Sequence, residues 1–139
     1  MSQIQNAAFS IINFVFDNVS LDLSKKGTDE LALNFEPKGE YIQDKSLFRL
    51  IFSVRIKSEE LQEPFAFIRC VGEFNFANVT SFSEIPSYFY ANSIAILFPY
   101  VRSYISIITT QANMKGIILP TLNLQSLEST LRENTEVIE

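Results

Sequence analysis

The chain has 139 residues, 47% of them hydrophobic and 19% charged, with a formal net charge of −5. That suits one folded domain and excludes a wholly disordered chain. With no His and one Cys, a Ser-His-Asp or Cys-His arrangement, an imidazole metal site and an internal disulfide are all excluded, and a pI near 4.8 argues against nucleic acid or an anionic membrane surface as partner.

The N-terminus, MSQIQNAAFS, has no basic segment ahead of an apolar run, so no signal peptide is expected. Residues 8–23 read as a strand. Phe9, Ile11 and Val15 alternate with Ile12, Phe14 and Phe16, so both faces are apolar, which fits a strand buried on both sides or lying at a subunit contact. Residues 25–29 form a turn cluster, and 30–42 give a second strand with Leu31, Leu33 and Phe35 in alternation. Pro37 fits a strand end or a sheet edge. Residues 46–58 hold the cleanest period-two pattern: Phe48, Leu50, Phe52, Val54 and Ile56 on one face, Arg49, Ser53, Arg55 and Lys57 on the other. After a polar connection at 59–64, residues 65–77 make the fourth strand, in which Gly72 marks a bulge or a close backbone approach. Short polar loops between consecutive strands favour an antiparallel meander of four.

The pattern then changes to helical. Ser83 is a candidate cap and Pro86 an early helical residue. In 92–113, Ile94, Leu97, Phe98, Val101, Ile105 and Ile108 fall at steps of three and four, and Pro99 is expected to start the main segment or kink it. The longest apolar run, Ile94 to Ile108, is too short to span a bilayer. Residues 114–123 are an unusually apolar connection. Residues 124–136 form a small amphipathic helix with a Leu124, Leu127, Leu131 stripe and a Glu128–Arg132 pair.

Two surpluses point to contacts beyond one subunit. The chain carries 13 Phe and 5 Tyr, for which a single subunit of this size has limited interior. From residue 74 to 127 only Glu84, Arg102 and Lys115 are charged, so the long helix lacks a polar face and reads as sandwiched in an oligomer interface ahead of an exposed binding surface. The loop Gly116–Asn123 instead reads as the border of a groove.

The inventory for catalysis is poor. All four Gly are isolated, so there is no phosphate loop. Glu59-Glu60 and Asp29-Glu30 read as solvated loop carboxylates. Glu73 is a candidate for a perturbed acid or simply faces water, and Cys70 in its apolar run reads as a small buried hydrophobe. No enzyme activity, cofactor or metal is expected.

The run Ile96-Leu97-Phe98-Pro99-Tyr100-Val101-Arg102, followed by Leu119-Pro120-Thr121-Leu122-Asn123-Leu124 and a final short helix, resembles the signature of the bacterial protein-export chaperone SecB. The resemblance covers residues 8 to 132. It implies an α+β subunit forming a single domain over 1–139, with a four-stranded antiparallel sheet over about 8–77. A long helix, the groove loop and a short C-terminal helix follow over about 82–136, packed on one side. It implies a cytoplasmic homotetramer, a dimer of dimers with the long helices between sheets. Such a tetramer is an ATP-independent holdase for unfolded export precursors and delivers them to the motor SecA.

On that resemblance the groove residues are Phe35, Phe74, Phe76, Ile118, Leu119, Leu122, Leu124, Leu127 and Leu131, with core packing the alternative for each strand Phe. The interface residues are Ile94, Leu97, Val101, Ile105 and Ile108. Asp22 and Ile68 are the motor-docking candidates. Cys70 and Asn18 stand where the family carries acidic residues for the motor, and the tail after Arg132 is short. Two alternatives stand beside export: a chaperone dedicated to one antitoxin in a toxin–antitoxin–chaperone module, and a small domain that buries a lipid or other apolar ligand between sheet and helix.

Overall fold

The computed structural model describes residues 8–139. The signal-peptide expectation rests largely on residues 1–7, which lie outside the described residues. The elements are β1 (Ala8–Leu21), β2 (Leu31–Ile42), β3 (Leu47–Ser58), β4 (Ala66–Ala77), α1 (Phe89–Gln111), α2 (Leu124–Glu133) and β5 (Thr135–Ile138). The strands form one mixed sheet in the order β1-β4-β3-β2-β5.

Two features of the expected sheet need correction. It has five strands, because Thr135, Val137 and Ile138 leave α2 and pair in parallel with Gly39–Ile42. These β-branched residues favour extended backbone over another helical turn. Nor is the order a simple meander. β2, β3 and β4 are joined as hairpins, but β1 lies beside β4 at the far edge, giving a Greek-key order. Residues 22–30 cross under the β3–β4 turn to make this connection. There the Asp22 amide donates to the Phe65 carbonyl at 2.8 Å, and the Glu59 amide to the Glu30 carbonyl at 2.8 Å.

β1 is not an evenly two-faced strand. Its pairing with β4 slips between Ile11 and Asn13 and again between Phe16 and Asn18. Each bulge inserts one residue and reverses the alternation. Phe9, Ile11, Phe14, Phe16, Val19 and Leu21 therefore all sit opposite core-side positions of β4. The apparent second greasy face is an artefact of reading a straight period of two through two bulges.

The core lies between the sheet and the helices. Phe48, Leu50, Phe52, Val54 and Ile56 of β3 and Ile68, Cys70 and Phe74 of β4 are all essentially inaccessible. Ile94, Leu97, Val101 and Ile105 of α1 are 0% exposed. Burial of each such side chain contributes roughly 1.5–3 kcal/mol before entropic costs. Phe89 at the start of α1 gathers much of the aromatic surplus, with ring centroids 4.8 Å from Phe9, Phe48 and Phe76 and 5.5 Å from Phe74. Edge-on and tilted packing lets the rings interdigitate. Of the Phe residues only Phe14 counts as exposed, so the subunit absorbs the surplus itself.

The helical segment also starts later than expected. Ser83 lies in a 3-10 turn (Phe82–Glu84), where Glu84 accepts from the Thr80 amide at 2.9 Å and from the Thr80 hydroxyl at 2.6 Å. Pro86 precedes α1, and Pro99 lies inside it on the exposed side. There the Ala95 carbonyl it leaves unpaired can reach water. At 23 residues α1 is long and apolar enough to cross a membrane by length and composition, unlike the shorter run read from the sequence. Its inner face, however, is fully taken up by the sheet.

Candidate peptide-binding groove

The connection from α1 to α2 forms one wall of a groove. α1 ends where Asn113 takes a left-handed conformation (φ 62°). The chain then returns past the N-terminal half of β2. Ile117 and Leu119 point into the core, at 6% and 1% exposure, while Ile118 between them is 75% exposed. An extended backbone turns alternate side chains to opposite faces, so anchoring two residues necessarily presents the third. On one side of Ile118 a depression of about 370 Å³ is lined by Leu31, Leu33, Met114, Ile117 and Pro120. On the other side, one of about 380 Å³ is lined by Arg102, Ser103, Ser106 and Ile107 of α1. At the rim the Lys26 ammonium, paired with Asp29, holds that carboxyl below its usual range, with Lys115 adding a smaller effect.

α2 closes the far end. Asn123 caps it by accepting from the Ser126 amide at 3.2 Å. Arg132 donates to Glu128 at 2.7 Å, as the i,i+4 spacing predicts, and to the Ser87 carbonyl at 3.1 Å, with its guanidinium 4.8 Å above the Tyr90 ring. Leu131 is 0% exposed, whereas Leu124 and Leu127 are half-buried against the core.

The groove residues expected from sequence divide accordingly. Ile118 is open, and Phe35, Leu122, Leu124 and Leu127 are half-buried. Phe35 rests between Phe52 and Phe98, each with its ring centroid 6.1 Å away. Phe74 is a core residue, as its core alternative has it, and Leu119 and Leu131, expected in the groove, are corrected to core residues because both side chains are turned inward. Phe76 is half-buried but lies with the Phe89 cluster, at the sheet end where Tyr41 faces Phe48 and Phe48 faces Phe74. Leu31 and Leu33 lie at the opposite end of the same register, so Phe76 does not join this groove.

The expected interface residues need the same correction. Ile94, Leu97, Val101 and Ile105 are spent on the subunit's own sheet, and Ile108 is half-buried. The sequence stripe was real but marks the inner face. The outer face of α1 carries Ile96, Tyr100, Ser103 and Ile107, with Tyr100 44% and Ile107 58% exposed. Beside it the tyrosines stack on the edge strand: Phe14 on Tyr100 at 4.3 Å and Phe16 on Tyr104 at 4.0 Å. Val19 is exposed on the same side of β1, Ile12 is exposed at the first bulge, and Val15 is exposed on the opposite, open face of the sheet beside Ile51 and Val71.

The motor-docking candidates do not share a surface. Asp22 is exposed and caps a 3-10 turn, its carboxylate held below the usual range by hydrogen bonds from Ser24. Ile68 is 1% exposed on the helix side of β4. The open sheet face is instead charge-paired. Arg49 bridges Glu40 at 3.1 Å and Glu73 at 3.2 Å, Arg69 holds Asp17 at 2.9 Å, and Arg55 holds Glu36. Glu73 is thus an ion-pair partner of Arg49. Cys70 is buried, which pushes its thiol up to about 12.

No protein-family model matches the chain. An uncharacterized protein of Methanocaldococcus jannaschii is 47% identical over 62 residues, which make up 42% of this chain and only 36% of that relative. A SecB-like chaperone of Mycobacterium tuberculosis, solved in complex with a ChAD peptide from the HigA1 antitoxin, superposes with a TM-score of 0.61. It is 18% identical and covers 82% of this chain and 90% of that one. A Streptococcus agalactiae protein of unknown function gives a TM-score of 0.43 at 12% identity, over 84% of this chain and 100% of that one. The chain has a SecB-like fold.

Proposed function

We propose that this SecB-like subunit is an ATP-independent chaperone that holds apolar segments of unfolded polypeptide in the groove beside Ile118. The observation that carries this reading is the exposure of Ile118 between two anchored neighbours, on a fold whose mycobacterial counterpart holds an antitoxin peptide. Apolar contact supplies roughly 25 cal/mol per Å² buried without requiring a client sequence. Binding the unfolded state alone delays folding by mass action and needs no catalytic residue or cofactor.

The working assembly is a homotetramer in the cytoplasm. Two surfaces suit a second copy: the open edge of β1 with Ile12, Val15 and Val19, and the outer face of α1 with Tyr100 and Ile107. Several grooves on one assembly would multiply weak contacts through effective concentration.

Two observations favour a dedicated antitoxin client over export precursors. The mycobacterial neighbour is bound to an antitoxin peptide. The open sheet face also pairs Asp17, Glu36, Glu40 and Glu73 with arginines, leaving little acidity for a SecA-like motor. Burial of a lipid between sheet and helix has no support, because Leu97 and the Phe89 cluster already fill that space. Aggregation assays with several denatured proteins separate the remaining readings. Protection of many at stoichiometric ratio marks a general holdase, protection of one partner alone marks the dedicated form, and protection of none refutes both.

A further inference from the structure

We infer that Thr109 is the positioning residue of the groove: its hydroxyl holds the connection after α1 in the single phase that presents Ile118. The inference rests on the chaperone reading for what Ile118 does, but not for how it is held. Thr109 is 1% exposed, one of two residues of α1 with a buried aliphatic hydroxyl; the other is Ser93, whose hydroxyl donates to the Tyr90 carbonyl of its own helix. Its Oγ1 donates to the Ile105 carbonyl at 2.7 Å, a bond that satisfies the hydroxyl within its own helix. The same oxygen accepts from the Ile117 amide at 3.1 Å, eight residues on. Its backbone carbonyl also accepts from the Met114 amide at 3.3 Å. One residue thus ties both ends of the turn that follows α1.

The second bond sets the phase. Gly116 lies close against the helix, where an added Cβ would stand 2.6 Å from the Thr110 hydroxyl. Immediately after it, Ile117 enters the core with its amide satisfied by Thr109. A slip of one residue along an extended segment would turn every side chain over. Ile118 would go inward, and Ile117 and Leu119 would meet water. Apolar packing favours the observed phase, which buries both Ile117 and Leu119 and leaves Ile118 alone outside. The buried amide adds a directional tie to that preference, since an N–H left unpaired in that position is costly.

The test replaces the hydroxyl with a methyl of the same shape. Amide exchange and affinity for reduced, carboxymethylated α-lactalbumin, a permanently unfolded chain, are measured on wild type, Thr109→Val and Thr109→Ser. In Thr109→Val the Ile117 amide should exchange about tenfold faster or more and affinity should fall about tenfold, as expected for one lost buried hydrogen bond. In Thr109→Ser, which keeps the hydroxyl, both should return to within about twofold of wild type. A general loss of packing would not be rescued by Ser, which also removes the methyl. Unchanged Ile117 exchange in Thr109→Val, or unchanged affinity despite faster exchange, overturns the inference. Should Thr109→Val fail to fold, wild-type exchange decides: an Ile117 amide no better protected than that of Ile118 overturns it. If wild type does not bind the unfolded chain at all, the general-holdase reading fails, while the exchange result still judges the latch.

Discussion

The backbone of Gly72 in β4 lies directly under Leu97 of α1: a Cβ at Gly72 would stand 3.0 Å from Leu97 Cδ1 and 3.3 Å from Cδ2. The glycine is there for close helix–sheet approach, since its φ is not positive. Leu97 is 0% exposed and has little freedom to retreat. Gly72→Ala should therefore destabilise the subunit by about 1–3 kcal/mol in denaturant unfolding. Combining it with Leu97→Val should cost less than the sum of the two changes, because the smaller side chain relieves the overlap. Strict additivity would contradict this contact.

Ile118 and Leu119 are adjacent, yet they should behave oppositely in stability measurements. Ile118→Ser removes an exposed side chain and should change unfolding free energy by no more than about 0.5 kcal/mol. Leu119→Ser opens the core and should cost about 3 kcal/mol. Similar losses for both would show that the connection does not hold the phase described.

Cys70 should act as a buried, protonated thiol. Burial raises its pKa from 9.0 to about 12, with the charge of Asp17 adding to the rise. Native protein at pH 8 should resist thiol reagents, and unfolded protein should react fully. As pH climbs above 9.0 the unfolded chain loses this proton while the folded chain keeps it. The unfolded state then binds fewer protons, so stability falls between pH 9 and 12. Cys70→Ala should remove that part of the alkaline slope.

The inner and outer faces of α1 should separate in assembly experiments. Ile107→Asp, on the outer face, should lower the native mass while leaving the circular dichroism of the subunit intact. Ile94→Asp, facing the sheet, should unfold the subunit by burying an unpaired charge. Unchanged native mass in Ile107→Asp would remove the outer face of α1 from the interface.

The limits of β2, β3 and β4 were legible because their core faces are written in regular alternation. The β3 set from Phe48 to Ile56 is buried as its period indicates, and the α1 stripe from Ile94 to Ile105 is the helix's inner face. What that stripe faces was not legible. The same spacing serves a subunit's own sheet or a partner, and the absence of charge on the other side favoured the partner. β1 misled because bulges leave no residue signature here: Ile12 and Asp17 look like ordinary strand residues. β5 did carry a signal in Thr135, Val137 and Ile138, but four residues after a helix were too few to outweigh helical continuation. In the groove, Ile118 was readable as an apolar loop residue. Its isolation from Ile117 and Leu119 depends on a hydrogen bond to Thr109, a contact no local pattern announces.

Calorimetric titration of the protein with reduced, carboxymethylated α-lactalbumin, without nucleotide, is the most direct test of the groove. Wild type should bind, and Ile118→Ser, fully folded, should bind at least several-fold more weakly, as loss of one large buried aliphatic contact implies. Equal binding by the two proteins would contradict the proposal that Ile118 presents the groove to unfolded chains, and no binding by wild type would exclude a general holdase.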